Sequence, residues 1–171
     1  MARRIVSVTT QTPTATADTV ALVDATYPFL LRGGSATQEI RIWEISVSGQ
    51  APSTSSPTIM LLSQDSTVGT GANTNGAGQT DVAMDPATAA LAAPALTGNS
   101  NATVKPQRSV AAHLMNCSLN AYGGSYFWRA NKIDECTSVL SATAPLGEVS
   151  LSAFTGGTPG LIGAHMIYEP L

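Results

Sequence analysis

Short runs of alternating apolar and polar residues recur along the chain, and residues typical of turns separate them. Such alternation is typical of a β-strand with one buried face, because successive side chains of a strand point to opposite sides. The pattern predicts strands within residues 3–10, 18–24, 27–32, 36–49, 58–65, 109–122, 125–130, 134–143, 147–154 and 161–171.

The run ATQEIRIWEISVSG at 36–49 is the clearest of these, and it contains a change of face. Ile40 and Ile42 share one face of the predicted strand, whereas Trp43 and the apolar residues after it share the other. A β-bulge near Trp43 would produce this change. Burial of the strand on both faces is the alternative.

Two other runs are richer in apolar residues than simple alternation requires. TIMLLSQD at 58–65 has four consecutive apolar residues, which predicts a central strand buried on both faces. SVAAHLMNCSLNAY at 109–122 is long enough for a helix, but its residues alternate and turns flank it. We therefore predict a strand there.

The middle of the chain is low in strand signal and rich in glycine and asparagine. STVGTGANTNGAGQT at 66–80 predicts a long exposed loop. DPATAALAA at 85–93 predicts one short helix, since aspartate caps helices and proline suits the first helical position. Residues 66–108 therefore form a predicted loop insertion between strands.

The chain of 171 residues is long enough for one domain with a substantial core. We predict an extended N-terminal arm with the first strand at 1–17 and a single β domain at 18–171. The expected fold is all-β, an antiparallel β-sandwich or barrel with one short helix and long Gly/Asn-rich loops. A jelly-roll topology is preferred over an immunoglobulin-like one.

The stretch AYGGSYFWRA places aromatic and basic side chains behind a glycine pair. Gly123-Gly124 predicts a hairpin, because glycine adopts the positive φ angles of the tight primed turns. After the turn, Tyr126 and Trp128 point to one face, and Phe127 and Arg129 point to the other. Three interpretations stay open: a core strand with both inward aromatics, a stacking platform for a sugar or base, and a protein–protein contact.

Charged residues make up only 11% of the chain, against about 25% in an average protein, and the net charge is −3. Arg3 and Arg4 form the one adjacent basic pair, which is too little for the basic surface of a nucleic-acid binder. No stretch approaches the roughly 20 apolar residues of a membrane span. The start MARRIVSVTT lacks the apolar region of a signal peptide, so we expect synthesis and retention in a cytoplasm.

No catalytic or metal-binding pattern stands out in the sequence. His113 and His165 are the two histidines, the carboxylates are scattered, and no G-x-S-x-G motif is present. Cys117 and Cys136 are too few for a zinc site and are expected to be reduced. We therefore expect no enzymatic activity and no cofactor.

Three segments resemble a known group of proteins. GGSYFWRA before a Thr/Ser-rich run, LSAFTGGTPG, and the final AHMIYEPL are similar to parts of the small head-decoration, or capsid cement, proteins of tailed bacteriophages. The resemblance implies a β-rich protein on the outer capsid surface, often a trimer at a symmetry axis, that bridges neighbouring major capsid subunits. It implies neither catalysis nor a cofactor.

The resemblance and the low charge of the chain predict the same role. We expect a virion structural protein, made in the bacterial cytoplasm, that forms a homo-oligomer and binds the major capsid protein but no nucleic acid or membrane. A tail, connector or fibre-base protein is one alternative, and a carbohydrate-binding β-sandwich is another. The candidate contact residues are Arg3, Arg4, Tyr126, Trp128 and Arg129.

Overall fold

A computed structural model of the chain describes residues 5–9, 29–32, 37–49, 57–67, 70–71, 82–85, 102–104, 107–140, 148–154 and 161–171. Most of these residues lie in antiparallel strands, and within them the helical content is one 3₁₀ turn at Ile133–Glu135. The all-β fold class is confirmed. Among the described residues, no helix is long and apolar enough to cross a membrane.

Twelve strands lie within the described residues. The first six are β1 (Val6–Thr9), β2 (Phe29–Arg32), β3 (Glu39–Gly49), β4 (Pro57–Thr67), β5 (Thr70–Gly71) and β6 (Val82–Ala83). The others are β7 (Ala102–Val104), β8 (Gln107–Asn120), β9 (Ser125–Arg129), β10 (Thr137–Leu140), β11 (Glu148–Phe154) and β12 (Ile162–Pro170).

The strands form two larger sheets and one small one. The six-stranded sheet has the order β10-β3-β12-β1-β6, and β9 also pairs with β3. The four-stranded sheet has the order β2-β11-β4-β8, and β5 pairs with β7. Because β12 pairs with both β1 and β3, the last strand lies in the middle of its sheet.

One hydrophobic core draws side chains from both larger sheets. Ile45 and Met166 of the six-stranded sheet and Met60 and Leu151 of the four-stranded sheet are fully buried members of it. Burying one such side chain contributes about 1.5–3 kcal/mol. In β1 and β3, the buried positions alternate with less buried ones, as expected for strands that face a core on one side.

A β-bulge at Trp43 changes the face of β3, as one of the two interpretations of the sequence predicts. The register with β12 shifts there, so Trp43 has no residue directly opposite it. Trp43 and Glu44 are both half-buried, whereas Ile45 returns to the buried side that Ile42 occupies. The neighbour of β3 changes from β9 to β10 at the same point, where Ala130 N donates to Trp43 O at 2.9 Å.

The glycine pair forms a tight turn between β8 and β9, but the hairpin prediction is wrong. β8 pairs with β4, whereas β9 pairs with β3, so the turn carries the chain from one sheet to the other. Gly123 has a φ of 83°, and Gly124 N donates to Asn120 O at 2.7 Å. Turn chemistry is local, and it does not determine the strand with which each arm pairs.

Two predictions for the apolar-rich runs have different outcomes. The run at 109–122 is a strand, since β8 pairs with β4 along most of its length. β4 is central, between β11 and β8, as predicted. Burial of β4 on both faces is wrong at Ile59, which is 42% exposed, because the sheet is open to solvent beside β8 on the face opposite the core.

Some predictions fall on residues that the structure does not describe. The strand at 18–24, the helix at 85–93 beyond Asp85, and the arm at 1–17 apart from residues 5–9 all lie outside the described residues. Within the predicted insertion at 66–108, the described residues include the three short strands β5, β6 and β7.

Candidate interaction surfaces

The six-stranded sheet has a face on the side opposite the core, which we call the outer face. The register of β1, β3, β6, β9 and β12 places the outward residues of these strands side by side. The bulge adds to this surface, because two consecutive residues of β3 point outward there. The main members of the outer face are Val82, Ile167, Trp43, Glu44, Phe127 and Arg129.

Large apolar side chains are exposed on and beside the outer face. Phe127 and Met84 are each 59% exposed, and Val82 is 58% exposed. A cavity of about 340 Å³ opens at Trp43, and Met84 and Arg129 lie on its wall. The outer face thus combines exposed apolar side chains with a depression.

Trp43 is held at this cavity by a buried carboxylate. Its Nε1–H donates to Oε2 of Glu169 at 3.1 Å, and Glu169 is only 2% exposed. A carboxylate that is removed from water needs hydrogen-bond donors, because desolvation of a charge is costly. The bond therefore fixes the orientation of the indole at the bulge.

We expect Trp43→Phe to lower the free energy of unfolding by about 2 kcal/mol, because the buried carboxylate of Glu169 loses a donor. Urea denaturation followed by far-UV circular dichroism measures this change. Trp128→Phe is the matched control, since no hydrogen bond of the Trp128 indole is among those described. Equal losses for the two variants would contradict a stabilising role for the bond.

Arg129 lies on the outer face beside Glu44, its partner across the β3–β9 pair. The distance from Arg129 Nε to Glu44 Oε2 is 3.9 Å, and the arginine side chain is 70% exposed. A pair at this distance in water contributes little to stability. The guanidinium group therefore stays accessible to a partner molecule.

The structure describes three of the five candidate contact residues, Tyr126, Trp128 and Arg129. Tyr126 and Trp128 point to the core side of β9 and are half-buried, whereas Arg129 is exposed on the outer face. Arg3 and Arg4 lie outside the described residues. The core-strand interpretation therefore describes the two aromatic side chains correctly, with the arginine on the opposite face.

A second cavity, which we call the edge cleft, opens between the adjacent borders of the two larger sheets. Its volume is about 350 Å³, and β8 and β9 form its walls. Tyr126 and Trp128 line one side, and Met115 and Asn116 line the other. The exposed carboxylate of Glu135 adds a charged group to this lining.

Ser7 and His165 form a close pair on the outer face. Ser7 Oγ lies 2.8 Å from His165 Nε2, although 158 positions separate them in the chain. Nucleophilic catalysis by serine also requires a group that orients the histidine and donors for the oxyanion. None of the described hydrogen bonds or ion pairs joins a carboxylate to His165, so the pair is explained as a cross-strand hydrogen bond between β1 and β12.

Neither surface is a metal centre within the described part of the chain. No three His, Cys, Asp or Glu side chains there come close enough together to hold a metal ion. The chemistry that these surfaces offer is apolar contact, hydrogen bonding and two exposed charged groups, Arg129 and Glu135.

No protein-family model, curated protein or solved structure matches this chain. Function is therefore inferred from the outer face, the edge cleft and the resemblance of the sequence.

The two cysteines are free thiols in different surroundings. Cys117 is in the core, and burial raises the pKa of its thiol, whereas Cys136 is half-buried near the surface. Because the thiolate is the reactive form, a raised pKa slows alkylation. We expect iodoacetamide at pH 8 to modify Cys136 first and Cys117 only on unfolding, as measured by mass spectrometry.

A Cys136→Ser variant is the control for this assignment. It leaves Cys117 as the one thiol. We expect the folded variant to stay unmodified during the time in which Cys136 of the native chain is alkylated. Rapid modification of the variant would contradict the burial of Cys117.

Several residues of the outer face are missing from the candidates chosen by sequence. Trp43, Glu44 and Ile167 meet there only because β3 lies beside β9 and β12. The change of face at Trp43 is the one signal in the sequence that could have identified this surface. A bulge places two consecutive side chains on one side, and bulges are common beside functional sites.

Proposed function

We propose that this chain is a virion structural protein that decorates a capsid and stabilises it by bridging neighbouring major capsid subunits. The observation that carries the proposal is the outer face with its border, where Val82, Met84 and Phe127 are more than half exposed and Met84 lines the cavity at Trp43. Exposed apolar patches mark contact sites on soluble proteins. Aromatic and arginine side chains, here Phe127 and Arg129, are frequent anchors of such contacts.

The order of the strands supports a jelly-roll topology. Without the short strands β5, β6 and β7, the two sheets have the orders β1-β12-β3-β9 and β2-β11-β4-β8. β10 pairs with the first part of β3, on the same side as β9, which pairs with its second part. Successive longer strands therefore alternate between the sheets, apart from the step from β4 to β8 and that from β9 to β10. Jelly rolls of two four-stranded sheets occur in viral capsid and lectin domains.

The composition supports a role in assembly. Only 11% of the residues are charged, so covering the surface desolvates few ions. One copy can make modest contacts with two or more shell subunits, and simultaneous contacts multiply their effect. The resemblance to head-decoration proteins indicates the major capsid protein as the partner and a homo-oligomer as the bound form.

Binding to assembled shells tests this function. Shells of the major capsid protein encoded in the same genome are mixed with the purified chain and sedimented. We expect the chain to co-sediment and to raise the temperature at which the shells open. We expect Phe127→Ser to weaken binding at least tenfold, which corresponds to the loss of about 1.4 kcal/mol.

Tyr122→Ser is the matched control, because Tyr122 is an aromatic residue with the same 59% exposure but lies in the turn after β8. We expect this variant to bind as the native chain does. Failure of the native chain to bind shells would reject the capsid role. Particle images that place the chain on the tail would favour the tail, connector or fibre-base alternative.

The edge cleft favours a second candidate function, carbohydrate binding. Tyr126 and Trp128 lie two positions apart on one side of the cleft, and the carboxylate of Glu135 offers a polar group. Aromatic rings provide apolar surface, and a few polar groups fix the orientation of a ligand. A glycan array on which Trp128→Ala loses a signal of the native chain would support this function, and no binding by the native chain would reject it.

A further inference from the structure

The hydrophobic core is open along one edge of the molecule. Among the described residues, the partly buried apolar side chains that pack against the core are Met115, Tyr126 and Trp128. All three lie on β8 or β9 and line the edge cleft. Met60 and Met166, on the interior strands β4 and β12, have no exposed surface. Apolar surface is thus left uncovered along this edge.

β8 borders the four-stranded sheet at this edge, and its second half lacks the features that protect such strands, because Arg108 and the register shifts with β4 lie before Met115. Within the described residues, β8 is the terminal strand of its sheet, with β4 on one side. Edge strands are usually blunted by charged residues, prolines or bulges. The segment LMNCSLN at Leu114–Asn120 has no charge and no proline, and its ladder with β4 is regular from Met115 to Asn120.

We infer that two copies of this chain associate through β8, which pairs antiparallel with β8 of the second copy about a twofold axis at Cys117. In this register, Met115 lies opposite Leu119 on the core side of the extended sheet. Asn116 lies opposite Ser118 on the other side, where both are exposed. From Met115 to Leu119, apolar residues therefore meet apolar residues and polar residues meet polar residues, as self-complementary twofold contacts require. Leu114 lies opposite Asn120 at each end of this stretch.

The contact closes the open edge of the core. The two four-stranded sheets become one sheet of eight strands, and the second copy covers the edge cleft. Tyr126 and Trp128 then bury more of their large apolar area. Glu135 is the charged residue of the cleft, and its Oε2 already accepts a hydrogen bond from Asn131 N at 2.8 Å.

The dimer contact is independent of the proposed capsid role, because it uses β8 and leaves the outer face free. A substitution can therefore abolish shell binding or dimer formation without affecting the other. Phe127→Ser tests shell binding, and substitutions in β8 test dimer formation. A copy seated at the edge also closes the cleft, so dimer formation and sugar binding in the cleft exclude one another.

Sedimentation equilibrium of the full chain tests the contact. We expect the native chain to be a dimer at micromolar concentration. Ser118→Lys places a charge at the strand pair, and we expect the dissociation constant to rise at least tenfold. Asn116→Glu is expected to act in the same way. Mixing the two variants is expected to restore dimers, because the introduced lysine of one copy then faces the introduced glutamate of the other.

Ser125→Lys is the matched control, since Ser125 is an exposed serine on the border strand of the other sheet. We expect this variant to remain a dimer, and circular dichroism shows whether each variant keeps its β structure. A native chain that is a monomer, or a trimer as the resemblance implies, would overturn the inference. A folded Ser118→Lys variant that stays dimeric, or folded variants that do not associate when mixed, would overturn it equally.

Discussion

We expect Gly49→Ala to lower the free energy of unfolding by about 3 kcal/mol or more, a large share of the roughly 5–15 kcal/mol typical of a domain. Gly49 ends β3, and its N–H donates to Gly124 O at 2.8 Å. A Cβ at this position would lie 2.7 Å from the Cα of Ala121 and closer still to its carbonyl group. These are backbone atoms that cannot rotate away, so the strand and the turn would have to separate. Urea denaturation measures the change.

Gly123→Ala is the control, because it measures the loss of stability on replacing a glycine where the new methyl group meets no other atom. Gly123 has a positive φ, but a Cβ there would meet no atom within 4 Å. The cost is then limited to the left-handed backbone, about 1–2 kcal/mol. A loss of stability for Gly49→Ala no larger than that for Gly123→Ala would contradict the close contact between Gly49 and the backbone of Ala121.

The second large effect is expected for Tyr168→Ala, with a loss of about 3–5 kcal/mol. Tyr168 is 1% exposed and is among the largest fully buried side chains. It lies on β12 next to the bulge, where it pairs with Val6 on one side and Ile42 on the other. Truncation therefore leaves a cavity at the centre of the six-stranded sheet. Thermal and urea denaturation give the change in stability.

Tyr122→Ala is the control for the removal of a tyrosine. Tyr122 is 59% exposed in the turn after β8, so its loss is expected to change stability by no more than about 0.5 kcal/mol. A small effect of Tyr168→Ala, similar to that of Tyr122→Ala, would contradict the burial of Tyr168.

Strand positions are predictable from the sequence, because a strand with one buried face has alternating apolar and polar residues within its own segment. The run at 109–122 shows this well, since its period of two favoured a strand even though its length allowed a helix. Trp43 marked the bulge for the same reason: one extra residue shifts the alternation by one. Both patterns involve only residues close together in the chain, so one sequence is enough to recognise them.

The pairing of strands was not predictable, because it depends on residues far apart in the chain. Gly123-Gly124 suggested a hairpin, yet β8 and β9 belong to different sheets. The four consecutive apolar residues at 59–62 predict burial of both faces of β4. Ile59 is nevertheless exposed, because its exposure depends on which other elements cover that face of the sheet. A run of apolar residues shows that a strand is hydrophobic, but it does not show which other part of the protein packs against each face.

The candidate surfaces were predictable only in part. Alternation separated Tyr126 and Trp128 from Arg129, and the structure keeps them on opposite faces. The bond from Trp43 to Glu169 joins residues 126 positions apart, and no local pattern could indicate it. The outer face is built from β1, β3, β6, β9 and β12, so it exists only once the sheet is assembled.

The central position of β12 has a consequence for synthesis on the ribosome. β12 follows every other strand in the chain but lies between β1 and β3. At roughly 5–20 residues per second, β1 emerges on the order of ten seconds before β12, which separates it from β3 in the sheet. Until then, the apolar sides of both strands are available to chaperones. A nascent chain that stalls before Ile162 is therefore a substrate for quality control, and the six-stranded sheet forms after translation has passed this point.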